Sequence, residues 1–451
     1  MSDLLSIGRS GVLAYQGALA AVGENVTNSD TEGFARRSVK LTEQTSATSP
    51  YSLNRTSSAF GGVQASQVQR VWDQYKATSA WSANSDASRS GTRTQYLSSV
   101  ETMLSDTNGG VAAKLTAVFT SATQLAANPN DTSLRQTMLS NIGNAATGIG
   151  QTGADLGKIA GTVSSQAGSL VDQANSDLAA LGKVNVALQT APLGSAARAQ
   201  LEDQRDSLIG GLSAKLGIDV TVEANGAASI KLSDYSGPLL LSSNSASPAF
   251  LRLQVATNGQ VSMSVTKDGA TSAATPTGGA LAGLVDVSNV IAGRRQQVDA
   301  IASQLVTGLN AWQAQGKTPA GTAGVALLSG TDAATIALAT NDPTAIAAAS
   351  AAGADNGNLL ALSSLRDGTG VEAKWQSLVN SHALLVSAAT TESTAAASRK
   401  DGAYASLDEV SGVDLDTEAA ELLRFQQAYQ ASAKVIQTAR ETLQSIFALF
   451  N

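Results

Sequence analysis

Apolar residues recur every seven positions at both ends of the chain. Leu5, Val12, Leu19 and Val26 form one column, with Gly8, Tyr15 and Val22 in the intervening slots. Near the other end Leu415, Leu422, Tyr429, Ile436, Leu443 and Phe450 form a second, interleaved with Phe425, Ala439 and Ile446. This spacing predicts two long amphipathic helices whose stripes can pair as a coiled coil. Asp414, Asp416, Glu418 and Glu421 crowd the start of the second helix, and Arg424, Lys434 and Arg440 follow, the order a helix dipole prefers. Periodicity alone leaves two readings: two helices of one bundle, or segments that pair with each other and with neighbouring molecules. The stripe reaches Phe450, where chains usually fray, and this favours the second reading.

Between the first column and the polar stretch after it lies VGENVTNSDTEGFARRSV, Val22 to Val39. Asn25 and Asn28 can satisfy orphan groups at a helix end, and Gly33 can take the left-handed position of an exit turn. Phe34 can then pack back on the helix. The expectation is a hinge turn that ends one rod and redirects the chain.

The middle changes period twice. Residues 75–215 read as long helices rich in small side chains, broken at Asn128-Pro129 and restarted with Asp131 or Thr132 as cap. After Gly217 the period falls to two: Ile218, Val220 and Val222 alternate with Asp219, Thr221 and Glu223. Asn225-Gly226 marks a hairpin, and matching apolar to apolar pairs Val222 with Ile230. Leu251, Leu253 and Val255 lead to Asn258-Gly259, and Val261, Met263 and Val265 return. Residues 266–280 read as a flexible loop by composition, so their deletion is expected to be nearly silent. Helical pattern then resumes, broken at Asp342-Pro343. The expected fold class is mainly α with an inserted β domain: N- and C-terminal helices paired as a coiled coil, an elongated helical middle domain and a small antiparallel β domain. The expected limits are 1–33 with 414–451 for the coiled coil, 34–216 with 285–413 for the helical domain, and 217–284 for the outer β domain.

Composition narrows what such a chain can do. Of 451 residues only 4% are aromatic, which suits close helix packing around small side chains. Net charge is −7 with both signs interspersed, so no basic surface argues for nucleic acid or anionic lipid. Cysteine is absent, which removes disulfides, thiolate metal sites and a cysteine nucleophile together. Asp3 and Arg9 spoil the opening residues as a cleavable secretion signal. No stretch reaches the roughly 18 apolar residues of a spanning helix.

Candidate chemistry is thin. GIGQTG (148–153) satisfies a dinucleotide-type glycine pattern, but the polar, small SNIGNAAT before it is no buried strand, so a glycine-rich helix segment is expected. His382 is the single histidine and no G-x-S-x-G is present, which leaves no triad and no histidine metal cluster. Asp414, Asp416 and Glu418 lack the glycine and later glutamate of a calcium loop. No active site, cofactor or metal is expected.

NVTNSDTEGFARRSV is similar to the N-terminal signature of the bacterial flagellar rod, hook and hook-associated proteins, and SGVDLDTEAAELLRFQQAYQASAKVIQTARETLQSIFAL resembles their C-terminal signature. LEDQRDSLIGGLSAKLGIDVTV, GGALAGLVDVSNVI and DPTAIAAAS with DNGN resemble the hook-associated members that join hook to filament. The resemblance implies a structural part needed for filament assembly, secreted through the flagellar type III apparatus and placed outside the cell at the hook–filament junction. It implies as partners a ring of further copies, the flagellar hook protein, a second hook-associated junction protein, and an export chaperone at the C-terminal helix, without nucleic acid or membrane insertion. The assembly seam would be the apolar residues of the two columns, and the hinge turn Asn25, Asn28, Gly33 and Phe34. The chain is shorter than many relatives, so an outer domain is expected to be reduced or missing. Two alternatives stand beside this: a hook or distal-rod axial protein with the same ends, and a secreted flagellum-associated cell-wall hydrolase.

Overall fold

Small side chains let long helices lie close together, and in the computed structural model they do so along most of the chain. It describes residues 2–31, 33–44, 61–105, 109–353 and 355–448, so Phe450 lies outside the described residues. Helix α1 (Ser2–Thr27) is followed by strands β1 (Arg37–Glu43) and β2 (Val63–Arg70), which pair antiparallel with Arg37 opposite Arg70. Helices α2 (Gln74–Leu104), α3 (Val111–Ala127), α4 (Thr132–Thr190) and α5 (Ala196–Lys215) build the body. At 59 residues α4 is the spine, about 90 Å long. Asp131 caps it, its side chain accepting from the amides of Ser133 and Leu134 just past the Asn128-Pro129 break.

Two three-stranded antiparallel sheets follow, β3 (Ile218–Val222), β4 (Ala228–Leu232) and β5 (Leu239–Leu241), then β6 (Phe250–Val255), β7 (Val261–Lys267) and β8 (Ala270–Ala274). Helix α6 (Gly279–Gln315) returns to the body, and a short ladder of β9 (Leu328–Ser329) with β10 (Ala337–Leu338) leads to α7 (Gly357–Ala361). Helix α8 (Val371–Ser411) packs on α2, and α9 (Leu415–Ala448) packs on α1. The fold is mainly α with inserted antiparallel β structure, and its terminal helices pair. Leu97, Leu115, Leu139, Ile142, Leu178 and Trp375 are fully buried in one continuous core.

Two expectations need correction. Val222 pairs with Ala228, and it is Val220 that faces Ile230. The connecting loop is closed by the Glu223 amide on the Ala227 carbonyl at 2.9 Å. Register is held from outside the sheet: Asn185 of α4 donates to the Ala228 carbonyl at 2.8 Å and accepts from its amide at 2.9 Å. A fixed anchor on Ala228 outweighs the best apolar match. The segment 266–280 is also not a simple loop. Asp268 (φ 50°) and Gly269 (φ 82°) form a two-residue turn that sends the chain back as β8. Two consecutive left-handed residues are what a tight hairpin needs, and Asp-Gly supplies them. Deleting 266–280 would strip a strand from its sheet.

The Asn185 device recurs. Asn175 of α4 grips Leu251 of β6 through its carbonyl and amide (3.0 and 2.9 Å), and Asn310 of α6 grips Leu328 of β9 (2.7 and 3.1 Å). In each case a helix side chain bonds one residue's N–H and C=O as a neighbouring strand would.

GIGQTG lies inside α4, where Gly150 and Gly153 face Ala333. His382 is 1% exposed on α8. Its Nε2 meets the Leu97 carbonyl at 2.9 Å, and its Nδ1 has no hydrogen-bond partner among the described residues. Burial, with Arg294 nearby, holds its pKa below the ordinary 6.5 against the pull of the Leu97 carbonyl and Glu101. The unfolded chain therefore binds the proton more readily. Stability is full above about pH 6.5 and falls as pH drops below it toward the folded pKa. Thermal unfolding between pH 8 and 5 should show this loss, and His382→Gln should flatten the slope.

Candidate assembly site at the paired terminal helices

The two terminal helices meet where one has no side chain. A Cβ at Gly8 would sit 2.6 Å from Ile436 Cγ1, and one at Gly11 would sit 2.5 Å from Ser432 Oγ. Further along, the Tyr15 and Phe425 ring centroids are 6.3 Å apart, and Asn25 reaches Glu418. Positions rise on α1 as they fall on α9, so the pair is antiparallel. The buried stripe of α1 is Gly8, Gly11, Ala14, Ala18, Ala21, Val22 and Asn25. It is narrow in bulk because α1 is covered twice. On the flank away from α9 the β1–β2 hairpin lies over it, with the Val63 amide on Ser10 Oγ at 3.2 Å and Gly17 beside Ala65.

The large apolar residues of the two columns sit elsewhere. Val22 is buried, while Leu5, Val12, Tyr15 and Leu19 are half-buried and Val26 is 41% exposed. On α9, Leu422, Phe425, Ile436, Leu443 and Ile446 are half-buried, Leu415 is 52% and Tyr429 37% exposed, and Ala439 is buried. At about 100° per residue, Leu5, Val12, Leu19 and Val26 occupy a sector of roughly 60° beside the α9 contact. Leu415, Leu422 and Tyr429 flank the contact on α9. In an antiparallel pair these flanks point to the same side, the side opposite the hairpin. The rod thus carries one covered face and one apolar strip built from both helices.

At the rod's base the chain turns through a polar joint. Asn28 donates its amide and its Nδ2 to the Glu24 carbonyl (3.0 and 2.9 Å), and Gly33 takes φ 81°. Phe34 is half-buried beneath the Arg37 guanidinium, 4.9 Å from its ring centre. Asn25 does something other than cap: it grips the Arg37 carbonyl and amide at 2.8 and 2.9 Å, the same strand clamp found in the body. Its Nδ2 also donates to Glu418 at 3.0 Å, and Arg36 Nε donates to the other Glu418 oxygen at 2.6 Å. The Arg36 amide reaches the Ser411 carbonyl at 2.8 Å, tying the linker after α1 to the end of α8.

Alternating charges carry the joint into the body. Arg37 pairs with Glu24 and, at 2.9 Å, with Asp203 of α5. Arg70 pairs with Asp203 and with Asp206, both at 2.6 Å, and Arg205 pairs with Asp206 at 2.7 Å. Arg205 also donates to the Gly226 carbonyl at 2.6 Å, which brings in the first β turn. Trp72 lies under both Arg70 and Arg205, at 5.7 and 5.3 Å. Burial works to lower the Arg37 pKa, but Asp203 and Glu24 outweigh it and hold it above its usual value. At the start of α9, Asp414 binds the Thr417 hydroxyl and the Asp416 amide, which depresses its pKa.

Sequence reasoning missed most of these residues. Asp203, Arg205 and Asp206 lie in LEDQRDSL, and nothing in its spacing says which charges face inward; Glu418 reads as one more acid at a helix start. The joint's acids are engaged by arginines, amides or a hydroxyl, so the arrangement holds segments together. Among the described residues, no group of three or more His, Cys, Asp or Glu could hold a metal ion, and no helix is long and apolar enough to cross a membrane.

Comparison with known proteins follows the same lines. The family model of the flagellar hook-associated protein FlgK helical domain matches residues 97–328, and that of the flagellar basal body rod FlgEFG protein C-terminal region matches 406–449. The chain is similar to flagellar hook-associated protein 1 of Salmonella typhimurium, 25% identical over 240 residues, 52% of this chain and 42% of that protein. The same-named protein of Bacillus subtilis is 28% identical over 227 residues, 49% of this chain and 44% of that one. The match therefore spans under half the length of these relatives. The flagellar hook junction protein FlgK from Burkholderia pseudomallei shares the fold, with a TM-score of 0.65 at 18% identity, over 74% of this chain and all of that one.

Asp203 bridges two arginines that each keep one other acid, Glu24 for Arg37 and Asp206 for Arg70. Asp203→Ala removes the bridge and should lower the unfolding free energy by about 2 kcal/mol. Urea denaturation checks this, and a change within error would mean the joint is solvated.

Proposed function

The chain belongs to the flagellar hook-associated protein FlgK family, and from that premise we propose that it is a structural piece of the flagellum that joins hook to filament. In this reading residues 1–33 with 414–451 form the inner rod, 34–216 with 285–413 the elongated helical domain outside it, and 217–284 the outer β domain. The protein is exported through the flagellar type III apparatus and works outside the cell. Its partners are further copies of itself in a ring, the hook protein on one side and a second junction protein on the other, with an export chaperone on α9 beforehand. Its role is structural and not catalytic.

The observation that supports this best is the asymmetry of the rod. One chain supplies α9 and the hairpin to cover two sides of α1, and leaves Leu5, Val12, Leu19, Leu415, Leu422 and Tyr429 along the remaining side. Such a strip is costly in water and suits helices of neighbouring copies at coiled-coil spacing. The ion-pair joint supports it as well, since a rod that bears contacts must be rigidly fixed to its body.

Leu19→Asp or Leu422→Asp places a charge in that contact, where burial costs several kcal/mol, on the order of 3. In cells relying on the variant, electron microscopy should find hooks without filaments, and flagellin should appear in the medium. The helical body should keep its circular dichroism. Filaments of normal number and length on either variant would overturn the assignment of the strip.

A further inference from the structure

Helix α9 makes its main contacts with α1 and is otherwise exposed. Among its described residues Glu418 and Ala439 are the buried ones. A carboxylate at 0% exposure on such a helix is anomalous, because charged groups are almost never fully buried without a specific partner. Glu418 has two, and neither is on α9. One oxygen accepts from Asn25 at the end of α1 and the other from Arg36 in the linker that follows.

We propose that Glu418 is the latch of α9, and that closing it organises the elbow as well as holding the helix. Asn25 couples the two. Its amide group is shared between Glu418 and the Arg37 backbone: Nδ2 donates both to Glu418 and to the Arg37 carbonyl, while Oδ1 accepts from the Arg37 amide. With Glu418 in place the Asn25 side chain is oriented and the first residue of β1 is clamped. Without it, Asn25 Nδ2 keeps only the Arg37 carbonyl as acceptor, and Arg36 loses its carboxylate. The Arg36 amide, bonded to Ser411, and the Arg37 amide, bonded to Asn25, then lie in a segment that has lost its anchor to α9, and both open more readily. Among the described residues, the rest of the α1–α9 contact, centred on Gly8, Gly11, Ser432 and Ile436, carries no such link to the linker. Docking at the base of α9 and ordering of the elbow are therefore one cooperative step, and docking along its length is another. This inference does not depend on what the rod later packs against.

Amide hydrogen exchange on the full chain separates the two steps. Glu418→Leu keeps the bulk and removes the acceptors. It should speed exchange at the Arg36 and Arg37 amides roughly tenfold or more, although neither amide touches residue 418, and leave α3 and α4 unchanged. Gly11→Leu, whose side chain collides with Ser432, should speed exchange in α9 beyond Phe425 and leave Arg36 and Arg37 protected. Unchanged protection at Arg37 in Glu418→Leu overturns the proposal. So does equal loss in both variants, which would make the elbow report general undocking, and so does lack of protection at Arg37 in the unaltered chain.

Discussion

Two helices from opposite ends of a polypeptide can lie this close only because one of them lacks side chains where they cross. Gly8 and Gly11 set the distance to Ile436 and Ser432, and Ala14, Ala18 and Ala21 continue the same thin stripe. Everything else in the rod follows from it. With the contact made by small residues, the hairpin can press on α1 from the other flank. Leu5, Val12, Leu19, Leu415, Leu422 and Tyr429 are displaced to the remaining side. A larger residue at the crossing would push the helices apart and draw those side chains into the gap, and the exposed apolar strip would shrink.

The joint at the base shows a second economy. A rod attached by two linkers would swing freely were it held by apolar contact alone. Here Glu24 and Glu418 of the rod, Arg36, Arg37 and Arg70 of the linker and hairpin, and Asp203 and Asp206 of the body alternate in sign, so each charge is neutralised by the next element along. Buried ion pairs contribute little net stability but penalise misarrangement heavily. That suits a fixed angle better than a strong bond would.

How much of this was legible in the sequence depends on where the information lay. Helices with long apolar columns, the Asn128-Pro129 break with its Asp131 cap and the paired strands around Gly226 and Gly259 are local patterns, and they read directly. The β1–β2 hairpin was invisible because Val39, Leu41, Val63 and Val68 are too few to alternate convincingly and their strands are far apart in sequence. Strand β8 hid behind an alanine, serine and threonine composition that looked like loop, although Asp268-Gly269 was there to be read. At the candidate site, the seven-residue spacing displays the large side chains, but the crossing belongs to the glycines and alanines between them. The partners of Glu418, Arg37 and Asp203 lie hundreds of residues away or on another element, and single-chain spacing carries no trace of them.

The asparagine clamps have a consequence of their own. Asn25 on β1, Asn175 on β6 and Asn310 on β9 each fill, at one residue, the place where another strand would add, and Asn185 does so where β4 runs past β5. An open sheet margin invites a foreign extended segment to extend it. With an amide already seated at those margins, a foreign strand finds these backbone groups taken, and cross-β growth from them is discouraged.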